Sequence, residues 1–148
     1  PGIGRLLNKI EENTLTNIKI IKHDVIDILK EQIPDCSLTQ IFIFFPDPWP
    51  KKRHKKRRLI NTNFVDLLKL ITFDETKVIV ATDHKDYLNQ ILHVFYKNKS
   101  FELSTEIIGY EIGFFFDICL TKYYRKAKKS KKKVYFLLFE KKNLKKFF

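Results

Sequence analysis

Ile41-Phe42-Ile43-Phe44-Phe45-Pro46-Asp47-Pro48-Trp49-Pro50 runs straight into Lys51-Lys52-Arg53-His54-Lys55-Lys56-Arg57-Arg58. The first five residues are β-branched or aromatic and end at breakers, so they predict a strand buried on both faces. Pro46, Pro48 and Pro50 stop it. Each removes a backbone donor and steers the residue before it away from helical geometry. Asp47 is thereby expected in a stiff extended loop at the carboxyl end of a buried strand, where ligands bind in open α/β sheets. One carboxylate, one indole and seven cations follow within a dozen residues. The pattern points to a site that grips a phosphate backbone and presents a single acid to something specific. A strand-to-helix loop with a solvated basic face is the plainer alternative.

The flanks extend this into alternating elements. Upstream, Ile3, Leu6, Leu7 and Ile10 repeat at helical spacing over residues 1–13, and Pro1 suits a first turn. Ile18–Ile21 reads as a short strand. Asp24 suits the cap of a helix bearing Val25, Ile28, Leu29 and Ile33 on one face. Downstream, Asn61–Ile71 is expected to be helical with Phe64, Leu67, Leu68 and Ile71 inward. Lys77–Ala81 reads as a buried strand, and Tyr87, Ile91, Leu92, Val94 and Phe95 mark another helix. Strand and helix alternate as in a parallel doubly wound sheet. Phe101–Leu103 suits a strand and Val134–Phe139 a last one. Phe114–Phe116 suits core or a degraded segment, and residues 141–148 suit a frayed tail.

With 148 residues the chain can build one domain with its own core. Lys and Arg number 29 against 17 Asp and Glu, a formal charge of +12. That excess predicts a polyanionic partner, nucleic acid before a membrane surface. No lipidation motif or clear cationic amphipathic helix supports the membrane. The longest apolar patch, Ile112–Leu120, falls short of a span and contains Asp117. Cys36 and Cys119 lack metal-ligand partners, so no metal is expected, and two cysteines without a secretion signal fit a reducing cytoplasm. The sequence opens Pro1-Gly2-Ile3 and contains no methionine, which reads as a fragment or truncated product.

Asp24, Asp47 and Asp83 each follow a predicted strand. Right-handed crossovers would bring all three to one rim of the sheet. Capping explains each acid singly; three together suggest a ligand cleft.

Phe45-Pro46-Asp47-Pro48-Trp49-Pro50-Lys51-Lys52-Arg53-His54 with Arg57-Arg58-Leu59 resembles the signature of the bacterial tRNA (guanine-N7) methyltransferases. The resemblance runs from residue 1 to about 96, thins, and returns near Thr121. It implies a Rossmann-like class I methyltransferase fold, an α/β architecture with a mostly parallel sheet incomplete at its N-terminal side. It implies methyl transfer from S-adenosyl-L-methionine to N7 of a guanine in tRNA. Pro1-Gly2-Ile3-Gly4 and His23-Asp24 resemble the segments around S-adenosylmethionine. Asp24 matches an acid beside the adenine, and Asp47 matches the acid between cofactor and guanine, assigned as the active site. Lys51 and Asp83 match positions that contact RNA. Thr121-Lys122-Tyr123 resembles the start of a Thr-Lys-Phe-Glu motif, with Tyr124 in place of the glutamate. Thr121 is thereby expected at the cofactor and Lys122 at the substrate.

Lys52, Arg53, Lys55, Lys56, Arg57 and Arg58 are expected to hold phosphates. Trp49 suits either stacking on a base or sealing the core. No glycine-rich loop follows a strand here; by the resemblance, the family's first two strands would lie upstream of Pro1, with the first strand central. The partners expected are tRNA and no membrane, with a monomer favoured. The alternatives are a catalytically inactive remnant that binds RNA through its basic surface, and a ribosomal or assembly factor, in which the Pro-Asp-Pro-Trp core would have no role.

Overall fold

The computed structural model describes residues 2–108 and 121–143. A four-stranded mixed sheet carries the fold. Its strands are β1 (Leu38–Phe44), β2 (Thr72–Thr82), β3 (Phe101–Ile108) and β4 (Tyr135–Lys141), in the spatial order β1-β2-β4-β3. β1 pairs parallel with β2. β4 lies between β2 and β3 and is antiparallel to both. Three strands therefore share one direction and β4 opposes them. The helices are α1 (Gly2–Glu12), α2 (Val25–Glu31), α3 (Thr62–Ile71), α4 (Lys85–Asn98) and α5 (Lys122–Lys129), with a 3-10 turn over Lys52–Arg57.

β2 is the central element. Val78 and Val80 face one side, Ile79 and Ala81 the other, and all four are buried. Two cores follow from that alternation. On one face α3 packs Phe64, Val65, Leu68 and Ile71, and α4 packs Tyr87, Leu88, Ile91, Val94 and Phe95. Phe95 stacks on Phe139 of β4 at 3.8 Å between centroids. The stripe of α3 differs from the expected one at one position, since Val65 is buried and Leu67 only half-buried. On the other face Tyr124 and Ala127 of α5 join Ile79, Ala81, Val134 and Phe136. Burying each such large side chain contributes roughly 1.5–3 kcal/mol.

Caps set the helix starts. Asn61 accepts from the Phe64 amide at 3.1 Å, opening α3 one residue after the expected boundary. Asp24 accepts from the Ile26 amide at 2.8 Å, opening α2. Thr121 accepts from the Tyr124 amide at 3.1 Å, opening α5.

Two expectations need correcting. Ile18–Ile21 forms no strand, and Ile18 and Ile21 are exposed. A strand needs a neighbour to take its backbone groups, and no described strand offers one there. β1 for the same reason is an edge strand and is not buried on both faces: Ile43 is buried, but Phe42 is 39% exposed. β4 extends to Lys141, past the expected Phe139 and into the stretch read as a tail. The Lys141 ammonium donates to the Lys69 and Thr72 carbonyls at 2.9 and 2.6 Å. Phe114–Phe116 and residues 144–148 lie outside the described residues.

Candidate active site and RNA interface

Sheet topology builds the site. β1 and β2 end side by side, with Phe44 opposite Ala81, and the Phe45 amide donates to the Ala81 carbonyl at 2.8 Å. Asp47 comes two residues later and Asp83 directly follows β2. Because β4 is antiparallel, its first residue Tyr135 lies opposite Thr82. The segment ahead of β4 is thus carried to the same rim, and α5 with it. The result is a cleft of about 160 Å³ with Pro46, Asp47 and Pro48 on one side and Tyr123, Lys126, Ser130 and Lys132 on the other, Asp83 between them. Lys132 reaches Asp83 at 3.5 Å.

The loop bearing Asp47 is held in an unusual backbone conformation. Phe45 and Trp49, neither of them glycine, have φ of 52° and 38° and bracket Pro46-Asp47-Pro48. Such conformations cost on the order of 1–3 kcal/mol and persist where the surroundings enforce them. Here the enforcement is visible. Arg58 is buried, 2% exposed, and its Nε donates to the Pro48 carbonyl at 2.8 Å. Its two terminal nitrogens donate to Gln90 at 2.9 Å and Asp86 at 2.6 Å, and its guanidinium lies 4.9 Å from the Tyr87 ring centroid. The Asp47 loop is therefore tied through Arg58 to the first turns of α4.

Asp86 also accepts from Lys55 at 2.7 Å. The bond from Lys55, then that from Arg58, holds its carboxyl down from the ordinary 3.8 to about 2. The Tyr87 phenol is pushed up by burial; its oxygen accepts from the Ile60 amide at 2.9 Å.

The expected site residues divide accordingly. Asp47 and Asp83 share the cleft. Asp24 does not line it: this acid is exposed and caps α2. Three acids on one rim would have required a strand at Ile18–Ile21, which is absent. Lys51, Lys52, Arg53, Lys56, Arg57 and Lys122 are exposed and available to phosphates. Arg58 is not, and its expected role in phosphate binding is corrected to one of holding the loop. Trp49 neither seals the core nor stands free. Its ring meets His54 edge-on at 5.7 Å, and the Arg57 guanidinium lies 5.1 Å from its centroid. Thr121 is half-buried and its hydroxyl oxygen is occupied by the α5 cap.

Sequence reasoning missed Asp86 and Gln90, and it saw Lys126 and Lys132 only as members of the cationic cluster from Arg125 to Lys133. Asp86 follows Asp83 by three residues in a helix's first turn, where capping explains an acid without any partner. Only the fold brings Arg58, 28 residues earlier, against it. The cluster from Arg125 to Lys133 suits phosphates from its charge alone, but its place at the Asp47 cleft follows only once β4 is known to be antiparallel.

An open α/β sheet with one opposed strand inserted among strands of common direction, and carboxylates on its carboxyl rim, is that of a Rossmann-like methyltransferase. The chain belongs to the family described as "Putative methyltransferase", whose profile matches residues 1–137. That family implies a methyl donor. Among curated relatives, the chain is 47% identical over 110 residues to the tRNA (guanine-N(7)-)-methyltransferase of Nitrosospira multiformis, covering 74% of this chain and 47% of the relative. It is 49% identical over 105 residues to the enzyme of the same name from Nitrosomonas europaea, covering 68% of this chain and 45% of the relative. The chain thus spans about half the length of the curated relatives it matches. A solved structure from Thermus thermophilus, described as a "putative DNA modification methylase", aligns over 79% of this chain and 50% of its own at 11% identity, with a TM-score of 0.45, too loose a match to bear on topology.

Proposed function

We infer that this chain carries the substrate-facing part of a tRNA (guanine-N7) methyltransferase that uses S-adenosylmethionine. The observation that carries the reading is Asp47 in a cleft with Asp83, its loop continuing directly into a turn of exposed cations. The relatives' names supply the substrate and the atom modified. A tRNA substrate also favours a cytoplasmic location, and among the described residues no helix is long and apolar enough to cross a membrane.

The residues present fit the donor in part. Two carboxylates suit the cationic sulfonium end. Gly2 and Gly4 lie in α1 with open space where a Cβ would go, so they form no cradle for a nucleoside. When bound, S-adenosylmethionine supplies an electrophilic methyl group. Guanine N7 bears a lone pair and no proton, so it can attack that methyl without a strong general base. The work left to this chain is alignment and charge. The loop held by Arg58 fixes Asp47 against drift, and small misplacements of reacting groups cost about a hundredfold in rate. Asp47 offsets the positive charge that develops on the guanine ring. Asp83, facing the same cleft, offers a second acceptor for donors on the guanine edge. Lys51, Lys52, Arg53, Lys56 and Arg57 grip phosphates.

The testing experiment is transfer of labelled methyl from S-adenosylmethionine to unmodified tRNA, followed by mapping of the methylated base. Methyl on guanine N7 supports the reading. Methyl on another atom, or tRNA bound by the full-length protein without transfer, favours the non-catalytic RNA-binding alternative or a different modification.

A further inference from the structure

Lys122, Lys126 and Lys129 recur along α5 at spacings of four and three, so they share one stripe of the helix. All three are exposed. Tyr124 and Ala127 point the other way, into the core beneath β2 and β4. Lys126 itself lines the Asp47 cleft beside Tyr123 and Ser130. The stripe therefore meets the cleft wall at its middle residue, Lys126, with Lys122 and Lys129 exposed to solvent on either side of it.

The helix pays in self-repulsion for these charges. α5 reads Lys-Tyr-Tyr-Arg-Lys-Ala-Lys-Lys and has no acidic residue. Lys122 and Lys126, Arg125 and Lys129, and Lys126 and Lys129 are like-charge neighbours at helical spacing, which disfavours the helix. The Thr121 cap and two buried side chains oppose that. A bound polyanion would relieve it. Across the cleft, Pro46 and Pro48 form the wall that continues into the six cations from Lys51 to Arg57. The two carboxylates thus lie between two cationic surfaces. An anionic bilayer is the weaker partner, because membrane-surface helices insert an apolar face, and the buried apolar residues of α5 are engaged in the core.

We propose that Lys122, Lys126 and Lys129 form a second phosphate-binding surface, so that RNA is gripped on both sides of the nucleotide that enters the Asp47 cleft. This rests on the RNA-methyltransferase reading above and extends the substrate contact already expected at Lys122 along α5 to Lys126 and Lys129.

The test is equilibrium binding of unmodified tRNA over a salt series. Three charge-matched variants are compared with the parent: Lys122→Gln/Lys126→Gln/Lys129→Gln, Lys52→Gln/Arg53→Gln/Lys56→Gln, and Lys9→Gln/Lys19→Gln/Lys30→Gln from neither wall. Each phosphate contact contributes roughly 0.7–0.9 to the log–log slope, so the first two variants should each flatten it by about 2–3. The third should leave it nearly unchanged. Flattening by the turn variant alone overturns the second surface and leaves the RNA reading standing. No flattening by either overturns both. Equal flattening by the Lys9 set overturns the proposal in favour of net charge. Loss of binding to phosphatidylserine vesicles by the α5 variant, with tRNA unaffected, overturns it in favour of a membrane. Should the α5 triple variant fail to fold, Lys129→Gln alone is expected to flatten the slope by about 0.7–0.9.

Discussion

Arg58 and Asp86 meet at 2.6 Å, and the same guanidinium donates to the Pro48 carbonyl one residue past Asp47. A cation that looks like part of an RNA-binding run is in fact the rivet of the Asp47 loop. Replacing it should therefore damage the fold before it damages binding. Arg58→Ala takes a donor from the Pro48 carbonyl, Gln90 and Asp86, of which Asp86 keeps Lys55, and should destabilise the protein by on the order of 3 kcal/mol. Urea unfolding with an unchanged m-value and a lowered midpoint is the expected result. Arg58→Lys should rescue little, since an ammonium cannot reach three acceptors in the guanidinium's planar arrangement. A variant as stable as the parent would remove Arg58 from this role.

Asp86 gives that pairing a pH signature. Its folded-state carboxyl is held at about 2 against an ordinary 3.8, by Lys55 first and Arg58 second. A depressed carboxyl stabilises the fold above the unfolded value, and the contribution disappears as pH falls through the folded one. The loss should therefore fall between roughly pH 4 and pH 2. In Asp86→Asn that part of the acid limb should be missing, and stability at neutral pH should be lower. Chemical denaturation at several pH values would show whether parent and variant converge as pH falls. Parallel curves would exclude Asp86 as the titrating group.

The pairing also shows where sequence reading stops. Helices α1 to α4 and the strands at Ile41, Val78 and Tyr135 were legible because periodicity and caps are local: Asn61 and Asp24 each bond an amide two or three residues away. Helix α5 was not read as a helix, because its cations hide the two buried positions Tyr124 and Ala127. The place of Asp47 just past β1 was legible because three prolines stop the strand there, whereas the conformation of its loop depends also on Arg58. Arg58 was misread because seven adjacent cations look alike in sequence, and only burial against Tyr87 separates one from the rest. Ile18–Ile21 was misread because β-branched residues state a preference, while strand formation depends on a neighbour. The closeness of Lys132 to Asp83 depended on the direction of β4, which no local pattern encodes.

Lys55 and Lys56 are adjacent and chemically identical, yet should differ in their effect on RNA. Lys55 is already paired with Asp86 at 2.7 Å, whereas Lys56 is exposed. Lys56→Gln should flatten the salt dependence of tRNA binding by about 0.7–0.9, the contribution of one phosphate contact. Lys55→Gln should change it much less and should instead lower stability by unbalancing Asp86. Equal slopes for the two variants would show that Lys55 leaves Asp86 when RNA binds.

Asp47→Asn tests the chemistry itself. The substitution keeps the shape of the side chain and removes its charge, and the loop should stay in place because Arg58 bonds the backbone at Pro48 rather than the carboxylate. Stability should be close to that of the parent. Affinity for tRNA should hold or rise slightly, since one anion has been taken from a site flanked by phosphate-binding cations. Turnover should fall on the order of a hundredfold or more, the usual cost of removing one electrostatic contribution at a reacting centre. Single-turnover methylation of saturating tRNA by the full-length enzyme separates these effects, because binding no longer limits the observed rate. A near-normal rate would mean that charge on the guanine ring is met elsewhere, and Asp83, facing the same cleft, would be the next residue to change.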